Sequence, residues 1–364
     1  MAGDSGKQSD SDRGRGSAGF WRETWRRFRQ RRLAMAGLYF FLLMMVAAVL
    51  SPAIAGTRPL MCRYKGQIYF PAMAYYYPRW ENPIFLKDNF RRVYPKSLKE
   101  KDPQSWAVWP LVYQDPARRI RKGEWEGLSE NLQNMPPNRQ NWMGTDRLGH
   151  DVFAQMVHGT RIALLVGFVS TGIAAAIGIV MGAFAGFFGG WADILLSRIV
   201  EVVMCIPTLV LILALLAIIE KPTIWHVMTV LGVTGWTGIA RLTRGEFIKL
   251  RQSEFVTAAR ALGAGRLRII FRHILPNSLA PVLVPITFGI ASAILAESGL
   301  SVLGFGPAAT ISWGTVLHGG KEALAKWWLV FFPGLAIFLT VLSYNLIGEG
   351  LQEATDPRLR EAGK

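Results

Sequence analysis

Six long stretches of this chain contain no Asp, Glu, Lys or Arg: residues 33–50, 162–191, 202–219, 222–240, 274–296 and 327–348. A bilayer core needs about 17–25 residues of helix, so each stretch is long enough to cross one. One such length fits the buried helix of a soluble enzyme. Six in one chain of 364 residues do not. The chain is therefore read as an all-α membrane protein with six transmembrane helices. Its 51% hydrophobic and 18% charged composition agrees with that reading but does not by itself demand it.

The first stretch has a competitor. An arginine-rich lead, an apolar run and Ala53-Ile54-Ala55 imitate a cleavable signal peptide. The polar lead and the apolar run are both too long for one, so the stretch is expected to remain as a helix.

Orientation follows the basic residues that flank the spans. Arg22, Arg26, Arg27, Arg29, Arg31 and Arg32 precede the first span, and eight Arg and Lys residues lie between the fourth and fifth. Both segments are placed in the cytosol. An even number of spans returns the C-terminus, with Arg358, Arg360 and Lys364, to the same side. The net charge of +16 reads as topology and contact with anionic lipid rather than with nucleic acid. Cys62 and Cys205 are the only cysteines, too few for a disulfide framework.

The expected organisation is a cytosolic tail and interfacial helix over 1–32, a first span over 33–51 and an external (periplasmic) domain over 52–160. A five-helix core follows over 161–349, then a cytosolic tail over 350–364. Residues 1–17 carry almost nothing apolar and are expected to be disordered. Trp21, Trp25 and Phe28 recur at helical spacing, with Arg22, Arg26 and Arg29 one step round. That pattern fits an interfacial helix or a snorkelling extension of the first span. The external segment is rich in Pro and aromatic residues, and its 62–70 stretch reads as a hairpin turning at Lys65-Gly66.

Within the second span, Ala174, Gly178, Gly182 and Gly186 recur every four residues and put minimal side chains on one face. Small-residue faces let membrane helices approach closely, so this stripe is assigned to helix packing. Pro207, Pro281 and Pro285 remove backbone donors inside spans and are expected to kink them.

No catalytic constellation is legible. There is no Gly-x4-Gly-Lys-Ser/Thr phosphate loop, so ATP is not expected to bind this chain. His150, Asp151 and His158 lack zinc spacing and read as a polar, hydrogen-bonded cluster. Ionisable residues near or within spans are functional candidates by default, because a charge in lipid is costly. Glu201 and Glu349 lie near cytosolic ends and read as interface residues, whereas Glu297 ends the fifth charge-free stretch. With Ser298 it borders the translocation path or serves an external helix end.

The strongest signal is the basic loop 241–278. Ser253 is a plausible cap for a short helix that Gly263 and Gly265 interrupt, and a second helix is expected to stop at Leu275, before Pro276. Two short helices joined by glycines make a compact projection suited to a partner's groove. Composition alone leaves a basic hairpin on lipid headgroups equally open.

Thr257-Ala258-Ala259-x3-Gly263, followed by His273-Ile274-Leu275-Pro276, resembles the EAA loop of ABC importer permeases. Gly144-Thr145-Asp146-x2-Gly149-His150-Asp151 and Ala296-Glu297-Ser298-Gly299-Leu300-Ser301 look like the dipeptide and oligopeptide group. Tyr69-Phe70-Pro71 and Asn141-Trp142-Met143 are most similar to the second permease of microcin C-type (Yej) oligopeptide importers. Thr257 stands where that family usually has glutamate, and His273 opens its Ile-x-Leu-Pro element. The resemblance implies the six-helix type I importer permease fold and a non-catalytic subunit of the bacterial inner membrane. It also implies a heterodimer with a second permease, two cytosolic ATPase domains that bind ATP and Mg, and an external peptide-binding protein. The coupling loop would dock an ATPase through Thr257, Ala258, Ala259, Gly263, Leu275 and Pro276. The rival from another class is an ion-coupled secondary transporter.

Overall fold

The computed structural model describes residues 15–77, 80, 82–87, 94–307, 310–321 and 325–355. The disorder expected over 1–14 and the basic residues after 355 lie outside them. Arg15–Ser17, expected to be disordered, instead open helix α1 (Arg15–Gln30). Helix α2 (Arg32–Val49) follows after the single extended residue Arg31, φ −86° and ψ 103°.

Short helix α3 (Ser51–Ile54) leads into a three-stranded antiparallel sheet of β1 (Met61–Tyr64), β2 (Gln67–Tyr69) and β3 (Trp106–Val108), in the order β2-β1-β3. Lys65 and Gly66 turn the hairpin with φ of 48° and 80°, the positive pair that matches strand twist in a two-residue turn. Helices α4 (Pro83–Lys87) and α5 (Tyr94–Lys101) cover the sheet, burying Cys62, Tyr64, Phe85, Tyr94 and Leu98 together. Burial pushes the Cys62 thiol up to about 12, so it stays protonated.

Helix α6 (Val152–Phe188) is the central post of the bundle and starts ten residues before the charge-free stretch does. Asp151 caps it, accepting the Ala154 N–H at 2.7 Å, and Gly189 ends it at φ +66°. Its charged first turns are tolerated because they are satisfied. His158 Nε2 donates to the Ala55 carbonyl at 2.8 Å, and Arg161 donates to the carbonyls of Tyr75 and Tyr76 at 3.1 and 3.4 Å.

The third apolar stretch is broken. Helices α7 (Gly190–Cys205) and α8 (Thr208–Ala217) meet at 85° across Ile206-Pro207. Pro207 lacks an N–H and pushes Ile206 out of the helical region, to φ −89° and ψ 126°. The fourth stretch is divided at Gly235-Trp236 between α9 (Ile224–Thr234) and α10 (Thr237–Arg251). Eleven residues of α9 reach only about 17 Å, short of a bilayer core. Among the described residues, four single helices and the bent α7–α8 pair are long and apolar enough to span.

After α10 come α11 (Glu254–Ala261), α12 (Arg266–Arg268), a π-helical turn over Ile269–Ile274 and α13 (Leu275–Val302). Helix α13 runs unbroken through Pro281 and Pro285. Helices α14 (Trp313–Lys321) and α15 (Trp328–Thr355) follow. One core joins α2, α6, α13, α14 and α15 around Met44, Ile294, Trp313, Leu329 and Tyr344; a second joins α6, α8, α9 and α13 around Val166, Met228 and Leu300. The indoles of Trp313 and Trp328 donate across the core to the carbonyls of Met156 and Thr145, at 2.9 and 3.1 Å.

Candidate functional site

The loop expected over 241–278 is shorter than that. Helix α10 carries the chain through Arg251, so the projection spans only 252–274. It is pinned at its α10 end. Arg251 Nη1 donates to the Phe187 carbonyl at the foot of α6, 2.9 Å away, and Arg244 forms a two-pronged ion pair with Asp193 of α7, Nη2 to Oδ2 at 2.7 Å. A guanidinium fork on a carboxylate fixes orientation as well as distance.

Helix α11 begins at Ser253, whose backbone has cap geometry but whose hydroxyl donates backwards to the Leu250 carbonyl at 2.6 Å. It ends in a full Schellman motif: Gly263 N–H to the Arg260 carbonyl at 2.9 Å and Ala264 N–H to the Ala259 carbonyl at 3.0 Å. Gly263 sits at φ +79° with nothing within 4 Å of a would-be Cβ, so glycine is needed there for its backbone and not for space.

Val256, fully buried, and Ala259 anchor α11; Val256 joins a small core with Phe187, Phe247, Ile269, Ile270 and Ile274, against which Leu275 packs. The opposite face is open. Thr257 and Ala258 are exposed, and the Thr257 hydroxyl donates to the Ser253 carbonyl at 3.3 Å. Beside them Phe255, Leu262, Leu267 and Phe271 stand in solvent, Leu262 at 88% exposure. Sequence reading missed these four. The available signal was that apolar residues recur in a basic segment whose core positions were already filled.

The second helix does not stop before Pro276. The chain passes through the π-helical turn, where the Leu275 N–H reaches back five residues to Ile270, and Pro276 enters the first turn of α13. Proline has no N–H to leave unpaired there, and the wider turn absorbs its ring.

Glu297 lies at the far end of α13, 3% exposed. Its Oε1 accepts the Ser301 and Ser312 hydroxyls at 2.9 and 2.8 Å, tying α13 to the turn before α14. Ser298 is buried beside it, and a Cβ on Gly314 would come within 2.8 Å of the Ser298 Cα. Gly178, Gly182 and Gly186 face α10, where added Cβ atoms would meet Ile239 at 2.8 Å, the Ala240 carbonyl at 2.4 Å and the Arg244 carbonyl at 2.6 Å. Next to this contact, α6, α7 and α10 line an open cleft of about 540 Å³ reached by Glu201, Met204 and Arg241.

The polar cluster before α6 is divided among separate partners. His150 Nδ1 meets Asp146 Oδ2 at 3.0 Å, while Asp151 accepts from Asn141 Nδ2 at 2.7 Å and from Ala154, and His158 turns to Ala55. Burial pushes Asp151 up to about 6, against the pull of its donors from Asn141, Ala154 and Phe153. At Asp146 burial also pushes upward, but the bonds from His150 and Gln155 outweigh it and hold the carboxyl below its ordinary value.

The chain is a helical bundle with membrane-length apolar helices and a projection bearing exposed apolar side chains. The family described as "Binding-protein-dependent transport system inner membrane component" matches residues 178–361, and the "N-terminal TM domain of oligopeptide transport permease C" matches residues 19–75. The chain belongs to this family of inner membrane transport components, whose members are the non-catalytic, multi-pass subunits of ABC transporters. It is 33% identical to the dipeptide transport system permease protein DppC of Bacillus subtilis over 357 residues, 97% of this chain and 90% of that protein. It is 33% identical to the inner membrane ABC transporter permease protein YejE of Escherichia coli over 337 residues, 92% and 96% of the two chains. The oligopeptide transport system permease protein OppC of Bacillus subtilis is 37% identical over 235 residues, 64% and 77% of the two chains.

Proposed function

We propose that this chain is the permease subunit of an ATP-driven oligopeptide importer, supplies half of the translocation pathway and docks an ATPase domain through α11. The observation that carries the docking is the exposure of Phe255, Leu262, Leu267 and Phe271 on a projection whose other face is fixed to the bundle. Apolar side chains held in water on a rigid support are stabilised by a partner's groove. Thr257, Ala258 and Ala259 form the adjoining surface, with Gly263 setting its end and Leu275 and Pro276 its root.

The peptide substrate rests on the named relatives. The second permease rests on α7, none of whose sixteen described residues is buried, and on the apolar side chains of Trp191, Ile194, Leu195 and Val202 that it leaves uncovered. Arginine bias puts both termini and α11 in the cytosol, and the segment between α2 and α6 then faces the binding protein. ATP drives transport by favouring one bundle arrangement over another; a ligand with no such preference would move nothing.

The test is reconstitution with a second permease, the ATPase and a peptide-binding protein. Peptide uptake should need all four and ATP. Uptake by this chain alone under an ion gradient would overturn the proposal in favour of secondary transport.

A further inference from the structure

Helix α1 joins α2, long and apolar enough to span a membrane, through the single residue Arg31. Its rotation is fixed. Phe28, 5% exposed, is seated in a notch between Ala34 of α2 and Gly350 and Ala354 of α15; a Cβ on Gly350 would lie 2.4 Å from the Ala34 Cβ and 3.0 Å from the Phe28 ring. The Arg31–Glu353 ion pair, 2.7 Å, adds a second tie to α15.

With Phe28 turned inward, Arg22, Trp25, Arg26 and Arg29 share the outward stripe, all exposed. Arg27 is paired with Glu23 at 2.6 Å, whereas Arg22, Arg26 and Arg29 have no acidic partner among the described residues. The Trp25 ring stacks on Phe28 at 5.8 Å and is itself 53% exposed, so the stripe carries an indole between its guanidinium groups. Guanidinium forks match phosphate oxygens, and indoles settle at the boundary between headgroup and acyl chain.

We infer that Arg22, Arg26 and Arg29, with Trp25 between them, form a binding site for the phosphate headgroup of an acidic phospholipid. The inference uses the membrane reading of α2 but not the identity of the transported substrate. Nucleic acid and soluble acidic proteins would need the stripe to face bulk water, and the junction of α1 with a membrane-length helix across the single residue Arg31 argues for lipid.

The full chain, purified in detergent, is titrated with phosphatidylglycerol or phosphatidylcholine and the lipid adducts counted by native mass spectrometry. The wild type should hold phosphatidylglycerol on the order of a hundredfold more tightly. Replacing Arg22, Arg26 and Arg29 by glutamine should erase that preference by about fivefold per arginine, while Arg27→Gln leaves it in place. Brominated phosphatidylglycerol should quench the wild type more than Trp25→Phe, a readout independent of the arginine variants. Equal retention of the two lipids by the wild type, unchanged preference in the triple variant, or displacement of the lipid by millimolar inorganic phosphate would each overturn the inference.

Discussion

A Cβ at Gly182 would stand 2.4 Å from the carbonyl oxygen of Ala240, so α6 and α10 meet backbone against backbone. No side-chain adjustment can relieve a contact of that kind. Gly182→Val should lower stability by on the order of 3 kcal/mol, whereas Gly172→Ala in the same helix, with nothing within 4 Å, should be neutral or slightly stabilising. Thermal unfolding of the two variants in detergent compares them directly, and equal midpoints would show that α6 and α10 are not held this closely.

The exposed face of α11 predicts a split between folding and partnership. Leu262→Asp should leave the unfolding midpoint unchanged and cut ATPase co-purification by about tenfold. Gly263→Ala should cost about 1–2 kcal/mol through its left-handed backbone and weaken co-purification as well. If Leu262→Asp keeps the ATPase bound, the apolar face is not the dock.

Glu297 accepts three hydroxyls, those of Ser301 and Ser312 closely and that of Ser298 at 3.5 Å. Glu297→Ala strands Ser301 and Ser312 without their acceptor and should destabilise by about 2–3 kcal/mol, while Glu297→Gln keeps an acceptor oxygen and should lose less. Uptake by the glutamine variant then discriminates between roles: retained uptake fits a tie between α13 and α14, and loss of uptake with an intact fold assigns the carboxylate to the path.

Asp151 predicts a pH dependence with a definite sign. Burial lifts its carboxyl from 3.8 to about 6, so the folded state binds the proton first. Its stabilising contribution is complete below about pH 4 and is lost as pH rises through about 6. Subtracting the midpoints of Asp151→Asn from those of the wild type between pH 4 and 7 should leave this falling slope. A flat or rising difference would contradict it.

Much of the bundle was legible from charge alone, because a charge without a partner is costly in lipid and its absence marks a span. Where charges have partners the rule loses its grip: Arg161 hid the first turns of α6 because the carbonyls of Tyr75 and Tyr76, after β2, satisfy it. Pro207 announced its break, but Gly235-Trp236 did not, since neither residue forbids a helix. Lys65-Gly66 was readable because its turn chemistry is local. The role of Leu262 was not, since exposure depends on how Val256 and Ala259 seat the helix from the other side.

The π-helical turn over Ile269–Ile274 also sets an angular phase. Every residue in a helix advances the surface by about 100°, so the extra residue held in this turn decides which way Leu267 points relative to the inward face of α13. Deleting one residue there would restore an ordinary helix and shift the α11 projection by roughly a quarter-turn around the axis of the fifth apolar stretch, at the expense of the Val256 contacts with Phe187 and Phe247. Under the proposed docking on α11, the count of residues before Pro276 sets the direction in which a partner's stroke would enter the bundle.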